Sequence, residues 1–125
     1  MRLSTRTHGR LDLALGGLLI LLPWLSGVGP RGAAGLVPLA IAVALIANTL
    51  LTDFELGRIR RLQIPYHLWL DGLLGLLLAV SPWFLGFDPV VWLPHLGLGI
   101  ALALAAFLTD TVPGYERRSD GRAVV

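Results

Sequence analysis

Charged residues divide the chain into four long uncharged stretches, residues 13–30, 32–52, 72–87 and 89–109. The first, second and fourth hold 18, 21 and 21 residues, and roughly 20 apolar residues cross a hydrocarbon core as helix. The third has 16 residues and reaches spanning length when His67 to Asp71 forms an interfacial first turn. The pattern predicts four membrane-spanning helices, near residues 11–28, 34–52, 66–87 and 91–109, and an all-α fold.

Composition strengthens this reading. Of 125 residues, 55% are hydrophobic and 14% charged, and the mean hydropathy of +0.75 is far from that of a water-soluble domain. Arg2, Arg6 and Arg10 before "LALGGLLILL" imitate a secretory signal. No small-x-small cleavage site follows, however, and the segment recurs later in the chain, so it is read as a retained helix. The absence of cysteine excludes disulfides, thiol catalysis and thiolate metal sites.

The charge balance sets a topology. Arg2, Arg6, Arg10, Arg58, Arg60, Arg61, Arg117, Arg118 and Arg122 fall in the N-terminal segment, the middle loop and the C-terminal tail, whereas Arg31 stands alone in the other loops. The positive-inside rule then puts both termini and the middle loop in the cytoplasm of a bacterial inner membrane. The basic excess needs no nucleic-acid partner and suits anionic lipid head groups.

Internal similarity runs through nearly the whole chain. "HGRLDLALGGLLILLPWLSGVGP" at 8–30 and "HLWLDGLLGLLLAVSPWFLGFDP" at 67–89 agree at eleven of 23 positions, with a constant offset of 59. After a shortened loop the offset becomes 57, and "TDFELGRIRR" at 52–61 matches "TDTVPGYERR" at 109–118. Each unit carries two helices, so both copies enter from the same side. They are expected to be parallel repeats forming a four-helix bundle, with pseudo-twofold symmetry along the membrane normal. The division is an N-terminal segment (1–7), a first repeat (8–61), a second repeat (62–118) and a tail (119–125). Ala40, Ala44 and Asn48 correspond to Gly97, Ala101 and Ala105, a small-residue stripe on which helices two and four are expected to meet, with an oligomer contact on the same stripe as the alternative.

Two copies of a two-helix unit with a Ser-Pro-Trp step resemble the SPW-repeat family of integral membrane proteins. The likeness covers residues 8 to 118. The step stands as Ser81, Pro82 and Trp83 in the second copy and as Leu22, Pro23 and Trp24 in the first, so the serine is not common to both. The resemblance implies a membrane fold and location, and carries no activity or catalytic residues.

Three sets of residues are candidates for a role. Pro23 and Pro82 release the carbonyls of Leu19 and Leu78. They are read as kinking or ending their helices near the outer interface, where Trp24, Trp83 and Trp92 form an aromatic belt; a bent helix opening an outward pocket is the functional alternative. His8 with Asp12 and His67 with Asp71 share a helix face at i and i+4 if the helices extend that far, and together would suit zinc or another divalent metal in principle. The favoured reading leaves metal and cofactors out, with carboxylates complementing helix N-termini and histidines at an interface. Asp53 and Asp110, joined by Arg60, Arg61, Arg117 and Arg118, are expected to form a cytoplasmic rim network that also takes in Asp12 and Asp71; a docking surface for a partner protein or anionic lipid is the alternative. His95 is read as interfacial.

No charge lies near the middle of any run, and no Gly-rich phosphate loop or base-paired nucleophile is present. The function expected is that of a non-enzymatic structural or accessory subunit in the bilayer, associating with a membrane partner or with itself. An oligomeric small-molecule or ion transporter or channel is the alternative.

Overall fold

The computed structural model describes residues 2–113 and 116. Among these residues four helices form a bundle: α1 (Thr5–Leu25), α2 (Gly32–Leu51), α3 (Ile64–Phe84) and α4 (Leu93–Phe107). Helices α1, α2 and α3 are long and apolar enough to cross a membrane. At 15 residues, α4 is about 22 Å long against a hydrocarbon core of about 30 Å. It starts later than expected because Val90 and Val91 turn back onto Phe87 O, and Pro94 sits in its first turn.

The helices that open each repeat begin earlier than the charge pattern suggests. Ser4 caps α1 by accepting from the Thr7 amide, which carries the helix six residues beyond the expected start. In this added turn Arg6 and Arg10 face outward while Thr5 and His8 are buried. Amphipathicity thus extends the helix through a polar stretch that a hydropathy reading leaves outside.

The hairpins α1–α2 and α3–α4 are the most extensive packing pairs, followed by α2 on α3 and α1 on α4. Helices α1 and α3 therefore stand across the bundle from each other, as do α2 and α4. One leucine from each helix fills the centre: Leu19, Leu45, Leu78 and Leu102, each 1% exposed or less. They are repeat equivalents, Leu19 with Leu78 and Leu45 with Leu102.

The expected meeting of α2 and α4 along the small-residue stripe does not occur. Ala40, Gly97 and Ala101 are exposed, and the buried register runs through Ala42, Leu45 and Thr49 in α2 and Gly99, Leu102 and Ala106 in α4. Close approach is found between α3 and α4 instead. A methyl at Gly99 would stand 2.5 Å from Gly75 O, and one at Gly75 2.6 Å from Gly99 O. The repeat equivalent of Gly99 is Ala42, so the first hairpin packs less tightly at this level.

Both Pro-Trp helices continue for two residues past the proline. Each then turns at a glycine in the left-handed region, Gly27 with φ 78° and Gly86 with φ 70°, a conformation natural to glycine at a helix C-terminus. Ser81 Oγ donates to Leu78 O at 2.8 Å, meeting the carbonyl that Pro82 releases. Trp24, Trp83 and Trp92 are exposed, and the last two rings lie 5.9 Å apart. Beside Ser81 an apolar groove of about 330 Å³ opens, lined by Val37, Leu77, Val80, Phe84 and Leu85.

His95, in the first turn of α4, is fully buried within the bundle. Its Nε2–H donates to Ala34 O at 3.1 Å, the carbonyl that Pro38 deprives of its helical partner four residues on. An imidazole from the second repeat thus completes a helix of the first, and the ring packs edge-on against Phe87.

Two outcomes follow for thermal unfolding of the detergent-solubilised chain. Gly99→Leu should cost about 1–3 kcal/mol by forcing α3 from α4, while Gly97→Ala, which meets open space, should be neutral or stabilising by up to ~1 kcal/mol. His95→Leu should cost about 1–3 kcal/mol by stranding Ala34 O. Most of that loss should be recovered in the His95→Leu/Pro38→Ala double variant, which restores the missing amide.

Candidate functional site

The early starts of α1 and α3 place His8 and Asp12, and His67 and Asp71, inside the bundle. All four side chains are 3% exposed or less. They meet across the diagonal, which α1 and α3 bridge through these side chains. His8 Nε2 lies 3.3 Å from Asp12 Oδ2 and 2.9 Å from Asp71 Oδ2. His67 Nε2 lies 3.2 Å from Asp12 Oδ2 and 3.0 Å from Asp71 Oδ2. Each imidazole therefore reaches both carboxylates, and each carboxylate both imidazoles.

Two threonines fix the orientation of the rings. Thr52 Oγ1 donates its hydrogen to Asn48 O at 2.6 Å, so toward His67 Nδ1, 2.8 Å away, it accepts. Thr109 Oγ1 likewise donates to Ala105 O at 2.6 Å and accepts from His8 Nδ1–H at 2.9 Å. Both histidines thus carry hydrogen on Nδ1 and turn Nε2 toward the carboxylates. The threonines end the second helix of each repeat, where a hydroxyl bonds back to the carbonyl four residues earlier.

Chain segments beyond the helices hold this arrangement in place. Leu3 N donates to Leu108 O and Asp110 N to Leu3 O, while Asp53 N donates to Leu62 O. These contacts produce the bridges Leu3–Thr109 and Thr52–Leu62, again repeat equivalents. Thr5 Oγ1 donates to Glu55 at 2.7 Å, tying the start of α1 to the loop of residues 52–63. From that loop Phe54 lies over His67 with ring centroids 5.7 Å apart, and packs with Ile64 and Leu68. The space between Phe54 and the two histidines does not admit a water molecule.

The two copies part company at one layer. Asn48 Nδ2 donates to Asp71 Oδ1 at 2.7 Å and to His67 O at 3.1 Å. Thr49 shares its hydrogen between Leu45 O and Asp12 Oδ2. Their equivalents are Ala105 and Ala106, whose side chains have nothing to donate, and Asp12 Oδ1 is buried without a hydrogen-bond donor among the described residues.

The residues assigned to a cytoplasmic rim fall into separate groups. Asp12 and Asp71 lie inside, partnered by histidines rather than arginines, because the helices begin early enough to bury them. Arg60 and Arg61 are exposed. The C-terminal carbonyls of α2 are met by loop amides, with Arg58 and Ile59 N–H on Leu50 O and Arg61 and Leu62 N–H on Leu51 O. Asp53 and Asp110 are half-buried, the latter 3.9 Å from Arg2; Arg117 and Arg118 lie outside the described residues. Sequence reasoning assigned no role to Thr52 and Thr109. Their recurrence one helix away from the recurring histidines was the available signal.

The family model for the SPW repeat domain matches residues 6–109 of the chain. No curated protein and no solved structure matches it.

Removing Asn48 should show what its two hydrogen bonds contribute. Asn48→Leu strands one carboxylate oxygen in a closed interior and removes a second hydrogen bond to His67 O, and should lower stability by about 2–4 kcal/mol in thermal unfolding. Ala105→Gly, one repeat away, severs no side-chain hydrogen bond and should cost only about 1 kcal/mol.

Proposed function

The chain belongs to the SPW repeat family, and from that membership and its closed core we propose a multi-pass bacterial inner-membrane protein acting as a structural or accessory subunit. It performs no enzymatic reaction of its own. The carrying observation is that the acid and base side chains inside the bundle face one another and are sealed beneath Phe54. They bind the two repeats together and stand away from any surface a substrate could reach.

The outer surface suits this role. Exposed leucines such as Leu21, Leu36, Leu76 and Leu104 offer hydrocarbon to lipid or to a neighbouring membrane helix. Both termini and the loop of residues 52–63 face the cytoplasm in this reading, where exposed Arg6, Arg10, Arg58, Arg60 and Arg61 meet anionic head groups or an acidic partner surface. A protein partner or a second copy of the chain would dock on the helix faces.

Because the chain lacks cysteine, single introduced cysteines test the topology. Arg31→Cys and Asp88→Cys should react with a membrane-impermeant maleimide from outside the cell, and Arg58→Cys only after permeabilisation; the reverse pattern overturns it. Reconstituted vesicles should pass protons and sodium no faster than empty ones. Protein-dependent flux lost in Asn48→Leu would replace the accessory role with transport.

A further inference from the structure

The convergence of His8, Asp12, His67 and Asp71 supports more than a joint between repeats. Two imidazole nitrogens and two carboxylate oxygens, His8 Nε2, His67 Nε2, Asp12 Oδ2 and Asp71 Oδ2, stand at four nitrogen–oxygen separations of 2.9 to 3.3 Å. One donor atom from each of the four residues falls within a 4.8 Å span. With both Nδ1 hydrogens directed to threonines, a neutral imidazole presents its Nε2 lone pair to the carboxylates. Lone pairs facing lone pairs in a closed interior repel unless positive charge lies between them.

Two protons or one divalent cation would each neutralise the pair of carboxylates. Two protons supply two hydrogens for four nitrogen–oxygen lines. A cation at the centre engages all four atoms at once. A tetrahedral zinc site with bonds of about 2.05 Å has edges of about 3.3 Å; the four nitrogen–oxygen edges are within a few tenths of an ångström of that, and the whole donor set spans no more than 4.8 Å.

We propose that His8, Asp12, His67 and Asp71 form a binding site for Zn2+ or a similar divalent transition ion, each repeat supplying one histidine and one aspartate. Histidine and carboxylate ligands in a tetrahedral set suit that class of ion. The surroundings match those of a metal-bound imidazole, whose second nitrogen donates to a fixed acceptor; Thr52 and Thr109 are those acceptors. Asn48 holds Asp71 from behind. Four protein ligands leave no open position for substrate, so the ion is structural and its binding energy adds to the association of the repeats. The sequence reading that left metal out placed the histidines at a wetted interface, and their burial removes that ground.

The test is direct and independent of flux or partner. The full chain, produced in zinc-supplemented medium and purified in detergent without chelator, should carry about one zinc per chain by elemental analysis. Material from cobalt-supplemented medium should show the intense visible absorption of tetrahedral Co2+. The His8→Gln/His67→Gln variant should lose bound metal by about tenfold or more, whereas Arg60→Ala should retain it. Wild-type protein that is essentially metal-free from both media overturns the proposal, as does a double variant that binds as much metal as wild type. If the double variant does not fold, the wild-type zinc content and cobalt spectrum decide the matter alone.

Discussion

Two carboxylates cannot share a dry interior without compensating positive charge, and Asp12 and Asp71 bring theirs to a common centre. Burial removes water's screening and turns their mutual repulsion into a strong constraint on everything nearby. Each histidine must reach both acids, so α1 and α3 must begin early enough to carry them inward. Each imidazole must present the correct nitrogen, so a threonine must end each neighbouring helix with its own hydrogen already committed. The loop of residues 52–63 and the N-terminal residues must fold back to complete these ends. Much of the irregular structure at this end of the bundle answers that requirement.

The copies are alike where the constraint is strict and differ where it is loose. Histidine, aspartate and threonine recur at every corresponding position, as do the four central leucines. Asn48 and Thr49 have no polar counterpart in Ala105 and Ala106, which makes Asp71 better held than Asp12. Gly99 against Ala42 tightens one hairpin over the other. Ser81 meets the carbonyl that Pro82 frees, whereas Leu22 has no group to do so for Pro23. His95 serves a carbonyl freed by Pro38, a proline its own repeat lacks at the matching position.

Long apolar runs are legible because a bilayer imposes length, and the repeat is legible because polar residues recur outside leucine-rich sequence. The four helices, the family and the two His-Asp pairs were readable on those grounds. Helix starts were not, since Thr5 to Arg10 is polar and only its outward arginines and inward His8 reveal a helix once neighbours are present. The stripe of Ala40, Gly97 and Ala101 misled because small residues suit a lipid-facing surface as well as a contact. The role of His95 was not legible because its acceptor is a backbone carbonyl, whose availability depends on a proline 57 residues earlier in the chain.

A single two-helix unit brings one histidine and one aspartate, half of what the centre needs. Two separate copies of such a unit could complete it only by meeting, and every substitution would then appear on both sides at once. Joining the units in one chain removes the encounter and lifts that obligation of sameness. Asn48 can act on one carboxylate while Ala105 leaves the other alone, and His95 can repair a helix in the opposite unit without a reciprocal repair. The fused chain is thus free to evolve two unlike halves around a centre that still requires both.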